Sequence, residues 1–306
     1  PCYEEERIAA SKFDPREDVK RLMTGVPDDA DYVLMPESAL AYIPTIGSID
    51  EAHLDFIAPE LKTLFGDNLS GTKLITGAST IVRYGDNQAT DTAHHYPNYG
   101  WYDQYNSALA VDSEGHVEDI YHKGKLVIGV EAVPLKSLFD LFEVDLGGVS
   151  GQLGWGREHT LFHSNGVAIG PSICYEGLYG GYFAGFARNG AEVMALISND
   201  GWWGDTPGHR RLFDFCRLRA IETRRAIARS ANTGISGFIS PTGAVIGDRL
   251  EWDEEGVLSA QLELRSEKTI YTLYGDWIAR TATLVAVLAA LYYVAYRVRK
   301  RNYLVD

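Results

Sequence analysis

The chain has 306 residues, of which 45% are hydrophobic, and its formal net charge at pH 7 is −14. This length allows one large domain or two small ones, and the acidic balance argues against a nucleic-acid partner, which would require clustered lysine and arginine. The three cysteines are widely spaced and the histidines form no HExxH pattern. We therefore expect no metal site, no cofactor and no disulfide framework.

Short apolar runs rich in β-branched residues recur along the first 265 residues and predict the strands of a layered α/β or α+β domain. Helical spacing predicts helices over 53–66 and 209–229, and it places Cys216 on the apolar face of the second, in the core. Segments 84–104 and 135–160 are interpreted as long loops. The predicted strands cover 32–35, 73–82, 106–112, 167–174, 192–198, 235–240 and 244–247.

The C-terminal end of the chain carries a membrane-helix pattern. Residues 278–296 are almost wholly apolar, and this segment is about as long as a helix that crosses the hydrocarbon core. Aromatic residues lie near both ends, and the basic run 297–301 favours the cytoplasmic side. The preceding acidic domain would then lie on the extracytoplasmic side. A buried C-terminal helix is the alternative. We divide the chain into a globular domain over 1–270 and a membrane helix with a basic tail over 271–306.

Three chemically active residues each follow an apolar run. Cys174 ends a predicted strand and precedes a Gly-rich turn, whereas a structural cysteine would suit the middle of the strand. Glu37 and Lys123 stand at comparable strand ends. Each of these two residues alone would be ordinary on a protein surface. The three together predict one site at the edge of a sheet.

A thiol, a carboxylate and a cation suit nucleophilic catalysis. A free thiol has a pKa near 8.5, so little thiolate is present at pH 7. A neighbouring carboxylate can accept the thiol proton as a general base. A cation can stabilise the thiolate and the oxyanion that forms when a carbonyl is attacked. A histidine that is distant in the sequence could also approach Cys174 in the fold, so a Cys–His pair stays open as an alternative.

Six segments carry motifs in a fixed order: PESAL at 36–40, YHKGKLVIGVE at 121–131, ICYE at 173–176, NDGWWGDTPG at 199–208, the run 217–243 and YGDW at 274–277. Together they resemble the apolipoprotein N-acyltransferase family, the membrane-bound branch of the nitrilase (carbon–nitrogen hydrolase) superfamily. The resemblance covers nearly the whole chain. It implies a four-layer αββα sandwich followed by one C-terminal transmembrane helix.

The resemblance also implies a Glu-Lys-Cys triad. In that triad Glu37 is the general base, Lys123 the oxyanion-stabilising cation and Cys174 the nucleophile. Lys125 is an alternative to Lys123, but the family motif places the catalytic lysine two residues after the tyrosine, here Tyr121.

Further residues match supporting positions of the family. Glu131 resembles a second glutamate that orients the lysine, and Tyr175 and Glu176 match positions that support the nucleophile and its loop. Ile128 stands where the family commonly has proline, which alters a loop but removes no catalytic group. The family also carries N-terminal membrane helices that do not occur in these 306 residues, so we expect the chain to be a truncated form.

The function implied by the resemblance is acyl transfer in the bacterial inner (cytoplasmic) membrane by a monomeric enzyme. The acyl donor is a phospholipid, the intermediate a thioester on Cys174, and the acceptor the N-terminal amine of a diacylglyceryl-cysteine lipoprotein. An amidase or nitrilase with the same triad is the alternative, and a membrane-tethered binding module is a third. The apolar C-terminal helix favours the acyltransferase. Exposed apolar residues are expected on loops beside the site, at 40–50, 96–105, 135–155 and 178–186.

Overall fold

A computed structural model describes residues 15–43, 45–65, 69–97, 99–132 and 152–302. Within these residues the strands form two six-stranded sheets. The strands of the first sheet are β1 (Tyr32–Leu34), β2 (Ser48–Asp50), β3 (Lys73–Gly85), β4 (His94–Tyr96), β5 (Gly100–Val111) and β6 (Val117–His122). β3 runs parallel to β1 and β2 and antiparallel to β5, which also pairs antiparallel with β4 and β6.

The second sheet has the order β12-β11-β10-β9-β8-β7. Its strands are β7 (Phe162–Ser164), β8 (Val167–Ile173), β9 (Val193–Asn199), β10 (Ile227–Asn232), β11 (Ser236–Ile239) and β12 (Val245–Leu250). The central strands β8, β9 and β10 are parallel, and the outer pairings are antiparallel. The carboxyl ends of β8 and β9 therefore lie at one edge of this sheet.

Helices complete the outer layers. The α-helices are α1 (Pro15–Met23), α2 (Ala58–Lys62), α3 (Gly180–Asn189), α4 (Pro207–Thr223), α5 (Ile270–Tyr274) and α6 (Trp277–Asn302). Short 3₁₀ turns cover Glu51–Phe56, Cys174–Leu178 and Gly201–Trp203. Thr206 caps α4 by accepting from the backbone N–H of Gly208, and Pro207 stands in the first turn, where its missing N–H costs nothing.

The core lies on both faces of each sheet. Successive residues of β3 alternate, so that Ile75 packs in the same apolar cluster as the second sheet, whereas Leu74 packs with Leu61 of α2 on the outer face. On the far side of the second sheet, Phe186 of α3 and Phe213 of α4 close the core. The implied four-layer αββα sandwich is thus confirmed.

The helix predicted over 209–229 is wrong in its bounds. Helix α4 ends at Thr223, and Ile227 is the first residue of the buried strand β10, not the last turn of a helix over 209–229. Arg224 has a positive φ of 55°, which ends the helix. The helical spacing reached Ile227 because a buried strand residue is as apolar as a helix-face residue.

The loop predicted over 84–104 is also wrong. The end of β3, all of β4 and the start of β5 fall in this segment and pair in an antiparallel ladder. Backbone hydrogen bonds between distant strands override a polar local sequence. The helix predicted over 53–66 is broken into a 3₁₀ turn and α2. Of the loop predicted over 135–160, residues 135–151 lie outside the described residues, and 152–160 form no helix or strand.

Helix α6 stands apart from the sandwich. Its segment Trp277–Lys300, 24 residues long, is long and apolar enough to cross a membrane, and none of the apolar stretch is buried against the rest of the described chain. The alternative of a buried C-terminal helix is therefore wrong. A fully exposed apolar helix needs another apolar environment, so α6 is a candidate membrane span.

Candidate active site

Glu37 follows β1 in a tight turn against β3. Ser38, next in the chain, has a positive φ of 59°. A side chain on Gly77 of β3 would place its Cβ 2.4 Å from the Ser38 nitrogen and 2.6 Å from the Glu37 Cα. Gly77 is therefore required for the turn to approach the strand, and this approach directs the buried Glu37 carboxylate into the site.

Lys123 follows β6, and its main chain is fixed on both sides. Its N–H donates to the carbonyl of Asn106 at 2.8 Å, and its carbonyl accepts from the N–H of Gly156 at 3.0 Å. The side chain is only 1% exposed, and Nζ lies 3.0 Å from Oε1 of Glu37 and 2.9 Å from Oε1 of Glu131. Burial alone would lower the pKa of Lys123, but the two carboxylates outweigh burial and raise it. The ammonium is therefore charged at neutral pH.

Asn106 is a member of the site that sequence reasoning missed. Its Nδ2 donates to Oε1 of Glu37 at 2.7 Å and to Oε1 of Glu131 at 2.8 Å. The second oxygen of Glu131 accepts from the N–H of Val127 at 2.8 Å. Burial raises the pKa of Glu131, but Lys123 and these hydrogen bonds lower it by more, so the net shift of the pKa is downward. The available signal was an amide at the start of the apolar run in β5.

Cys174 begins the 3₁₀ turn that follows β8. Its φ is +48°, in the left-handed region that a non-glycine residue rarely adopts. Burial raises the pKa of the thiol, and the Glu37 carboxylate raises it further, while Lys123 opposes both. The resting thiol is therefore protonated. In the described parts of the chain no histidine forms a hydrogen bond with Cys174, so the Cys–His alternative gains no support.

Asn199, at the end of β9, reaches both Glu37 and Cys174 through its main chain. Its N–H donates to Oε2 of Glu37 at 2.7 Å, and its carbonyl oxygen lies 4.0 Å from Sγ of Cys174. Its side chain accepts from the N–H of Gly201 at 3.0 Å and donates to the hydroxyl of Tyr42 at 3.4 Å. One residue thus lies between the carboxylate and the thiol.

Glu176 joins the loop that carries Lys123 to the turn that carries Cys174. Its Oε1 accepts from the hydroxyl of Tyr121 at 2.6 Å and from the N–H of Gly124 at 2.7 Å. Its Oε2 accepts from the N–H of Ile173 at 2.7 Å. Glu176 is fully buried, and burial raises its pKa although these donors oppose the shift.

The remaining predicted residues lie beside these loops. The ring of Tyr175 packs edge-on against Tyr179, with 5.4 Å between their centroids. Nζ of Lys125 lies 5.1 Å from the ring centroid of Tyr182 and 5.9 Å from that of Tyr179. The structure therefore brings Lys123, rather than Lys125, onto the two carboxylates.

This geometry combines a protonated thiol, a carboxylate beside a buried ammonium, and a strained turn that presents the thiol. The carbon-nitrogen hydrolase family model matches residues 23–270. The chain belongs to the carbon-nitrogen hydrolase family.

Named relatives lie in one branch of this family. The chain is 35% identical over 207 residues to the apolipoprotein N-acyltransferase of Chlorobaculum tepidum, which covers 65% of this chain and 38% of that protein. It is 33% identical over 285 residues to the apolipoprotein N-acyltransferase of Bradyrhizobium diazoefficiens, covering 91% of this chain and 47% of that protein. The chain thus spans less than half the length of these two relatives.

A solved structure supports the fold. A cysteine-to-alanine mutant of the Nesterenkonia AN1 amidase, from the nitrilase superfamily, superposes with a TM-score of 0.51 at 14% identity, covering 79% of this chain and 83% of that chain. At this identity the likeness shows the fold alone. The family and its relatives indicate an enzyme, and the relatives together with the exposed apolar helix α6 indicate a membrane protein.

Proposed function

We propose that this chain is the catalytic part of an N-acyltransferase. It moves an acyl chain from a phospholipid, through a thioester on Cys174, to the N-terminal amine of a diacylglyceryl-cysteine lipoprotein. The observation that carries the proposal is the position of α6: an exposed helix of membrane-spanning length directly follows the domain that holds Glu37, Lys123 and Cys174. Both proposed substrates lie in a bilayer, whereas an enzyme for small soluble amides needs no such helix. The names of the relatives support the same choice.

In the first half-reaction Cys174 attacks the ester carbonyl of the phospholipid. Glu37 accepts the thiol proton as the C–S bond forms, because the raised pKa of Cys174 leaves little thiolate at rest. The carbonyl electrons move onto oxygen. When they return, the ester C–O bond breaks, and Glu37 gives its proton to the departing lysophospholipid alkoxide. The enzyme is left as an acyl thioester.

The second half-reaction uses the same groups in the reverse direction. The lipoprotein amine attacks the thioester carbonyl, and Glu37 accepts a proton from the amine nitrogen. The C–S bond breaks, the thiolate of Cys174 recovers that proton, and an amide is released. Because one covalent intermediate serves two substrates in turn, ping-pong kinetics are expected.

Lys123 is assigned to the oxyanion of both steps. An ammonium has three N–H donors, and two of those on Lys123 point to Glu37 and Glu131. The third can donate to the carbonyl oxygen as negative charge develops there. Since the ammonium is buried, this contact acts in a medium where charge interactions are stronger than in water.

The orientation of the protein follows from the charges around α6. The basic run 297–301 would hold the C-terminal end of the helix on the cytoplasmic side of a bacterial inner membrane. The catalytic domain, at the other end, would then act on the extracytoplasmic side, as a monomer with no nucleic-acid partner and no cofactor.

The test is mass spectrometry of the whole chain in phosphatidylethanolamine vesicles. We expect an acyl adduct on the Cys174 peptide that hydroxylamine removes and that a diacylglyceryl-cysteine peptide discharges as an N-acylated product. Cys216→Ala, which changes a buried core cysteine, should keep the adduct, and Cys174→Ala should lose it. Hydrolysis of soluble amides without any lipid-derived adduct would instead establish the amidase alternative.

A further inference from the structure

A buried ion pair lies directly behind the candidate site and has no part in the chemistry described above. Arg229 is on β10, and Asp200 directly follows β9. Nη2 of Arg229 lies 3.1 Å from Oδ1 and 2.9 Å from Oδ2 of Asp200. Their side chains are 1% and 0% exposed. A fully buried charge pair is costly to desolvate and is a weak source of stability, so its presence needs a specific explanation.

The pair is held rigidly by its surroundings. The hydroxyl of Ser198 donates to Oδ1 of Asp200 at 2.6 Å, and Nη1 of Arg229 donates to the carbonyl of Ile235. A Cβ on Gly234 would lie 2.0 Å from Oδ2 of Asp200, so only glycine fits there. Strands β9 and β10 and the turn before β11 are thereby fixed around one carboxylate.

Asp200 is the residue after Asn199, whose main chain contacts both Glu37 and Cys174. The Asn199 carbonyl that faces the sulfur shares a peptide plane with the Asp200 nitrogen, so a displacement of Asp200 moves this carbonyl. Ser198 donates to Asp200, and its carbonyl shares a peptide plane with the Asn199 N–H that contacts Glu37. The geometry between the candidate base and the candidate nucleophile therefore depends on where Asp200 is held.

We propose that the Asp200–Arg229 ion pair is a positioning element of the active site, which acts through the main chain of Asn199 to hold Glu37 and Cys174 in register. Neither residue touches a substrate. The acyl-transfer part of this inference rests on the proposed function. The effect on the thiol does not, because it can be measured without lipid.

The pair also places one negative and one positive charge near the Cys174 thiol. Asp200 raises the pKa of Cys174, after the larger effects of burial and Glu37, and Arg229 in turn interacts with the charge of Cys174. Removing one member of the pair leaves the other uncompensated. The two single changes should therefore shift the thiol pKa in opposite directions. The charged groups that interact with this thiol are Glu37, Lys123, Asp200 and Arg229.

The first measurement is the pH profile of Cys174 alkylation by iodoacetamide in the whole chain. It is read from the Cys174 peptide by mass spectrometry, so that Cys216, which interacts with both Arg229 and Asp200, stays unchanged. Asp200→Asn should move the profile to lower pH, because Arg229 keeps its positive charge. Arg229→Gln should move it to higher pH. The matched control is Glu118→Gln, which breaks the ion pair between Lys73 and Glu118. Glu118 lies near the start of β6, whereas Lys123 follows its last residue, so this change should leave the alkylation profile unchanged.

The second measurement is acyl transfer, with rates expressed per folded protein as judged by circular dichroism. Arg229→Lys keeps the charge but loses the two-pronged contact with Asp200. It should retain the wild-type alkylation profile while kcat falls about a hundredfold, since small displacements of reacting groups cost rates of this order. KM should not change.

Three results would overturn the inference: unchanged alkylation profiles in both charge-removing variants, shifts in the same direction, or a kcat loss in Arg229→Lys no larger than its loss of folded protein. If the wild-type protein transfers no acyl group, the proposed function fails. The alkylation profiles then still decide the role of the ion pair at Cys174. If Asp200→Asn does not fold, Arg229→Gln and Arg229→Lys carry the test.

Discussion

The side-chain nitrogen of Asn106 lies 2.7 Å from Oε1 of Glu37 and donates a hydrogen bond to it. The same nitrogen donates to Oε1 of Glu131 at 2.8 Å. Two carboxylates therefore share two donors, Asn106 and Lys123. Two carboxylates that contact the same donors repel each other, and the amide of Asn106 and the ammonium of Lys123 offset this repulsion.

Replacing Asn106 with alanine should slow acyl transfer. Hydrogen bonds to charged groups contribute about 1.5–3 kcal/mol, so we expect a rate loss of about ten- to a hundredfold, measured as kcat with phospholipid vesicles. Gln104→Ala is the matched control, because Gln104 lies on the same strand and hydrogen-bonds to Ser79 instead of the carboxylates. Equal losses of kcat in both variants would show that acyl transfer depends on the integrity of β5 rather than on the contact between Asn106 and Glu37.

Cys174→Ala and Cys174→Ser should abolish the acyl-enzyme adduct and leave the fold intact. Cys174 begins the strained turn after β8, whereas Cys216 of α4 is buried in the hydrophobic core. Cys216→Ala should therefore label normally. Mass spectrometry of the labelled peptides distinguishes the two, and the reverse pattern would make Cys216 the nucleophile.

Glu37→Gln should block activation of the thiol, and Lys123→Ala should weaken the oxyanion contact. Loss of one such donor typically costs on the order of 3 kcal/mol, or about a hundredfold or more in rate. Lys125→Ala is the control, since the Lys125 ammonium lies over aromatic rings. The measurement is single-turnover formation of the thioester, and comparable losses at Lys123 and Lys125 would contradict the assignment.

Glu176→Gln should change how stability depends on pH. Burial raises the pKa of Glu176 in the folded protein above its unfolded value. The favourable contribution of Glu176 to the free energy of unfolding is thus fully present below the unfolded pKa and is lost as pH rises through the folded pKa. The glutamine variant lacks this dependence, so its melting temperature should vary less with pH from about 4.5 upward.

The same variant should also be less stable near neutral pH. The glutamine amide cannot accept from the N–H of Ile173 while its oxygen faces Gly124. An unsatisfied buried donor costs about 1–3 kcal/mol. Thermal melts across pH for both proteins measure the two effects, and parallel curves would show that Glu176 is not the titrating group.

Of the segments expected to expose apolar residues beside the site, 40–50 is contradicted, since Leu40, Ile43 and Ile46 are buried. Exposed aromatic residues of the other segments should serve lipid access. Tyr96, Trp155 and Tyr179 are 64%, 40% and 39% exposed. Replacing all three with aspartate should reduce acyl transfer from vesicles but leave alkylation by a small soluble probe unchanged, because the proposed triad is untouched. The matched control is aspartate at the exposed α4 residues Phe215 and Leu218. Loss of both activities would assign these three aromatic residues to folding.

Local patterns were sufficient to predict the frame of this protein. Apolar runs located most strands because a buried strand must be apolar over several successive residues. The position of Cys174 at a strand end, before glycines, singled it out as a candidate without any knowledge of its neighbours. The apolar run 278–296 likewise predicted a helix that the sandwich does not cover. Composition over about 20 residues is enough for such a prediction.

Contacts between distant segments were beyond the reach of the sequence. The polar segment 84–104 became a ladder because β3 and β5 supply each other's backbone hydrogen bonds. Asn106 and Asn199 joined the site through partners 69 and 162 residues away. An amide or a main-chain N–H carries no local signal of its partner. The sequence by itself therefore determined which groups stand at strand ends, and the packing of two sheets decided which of them meet.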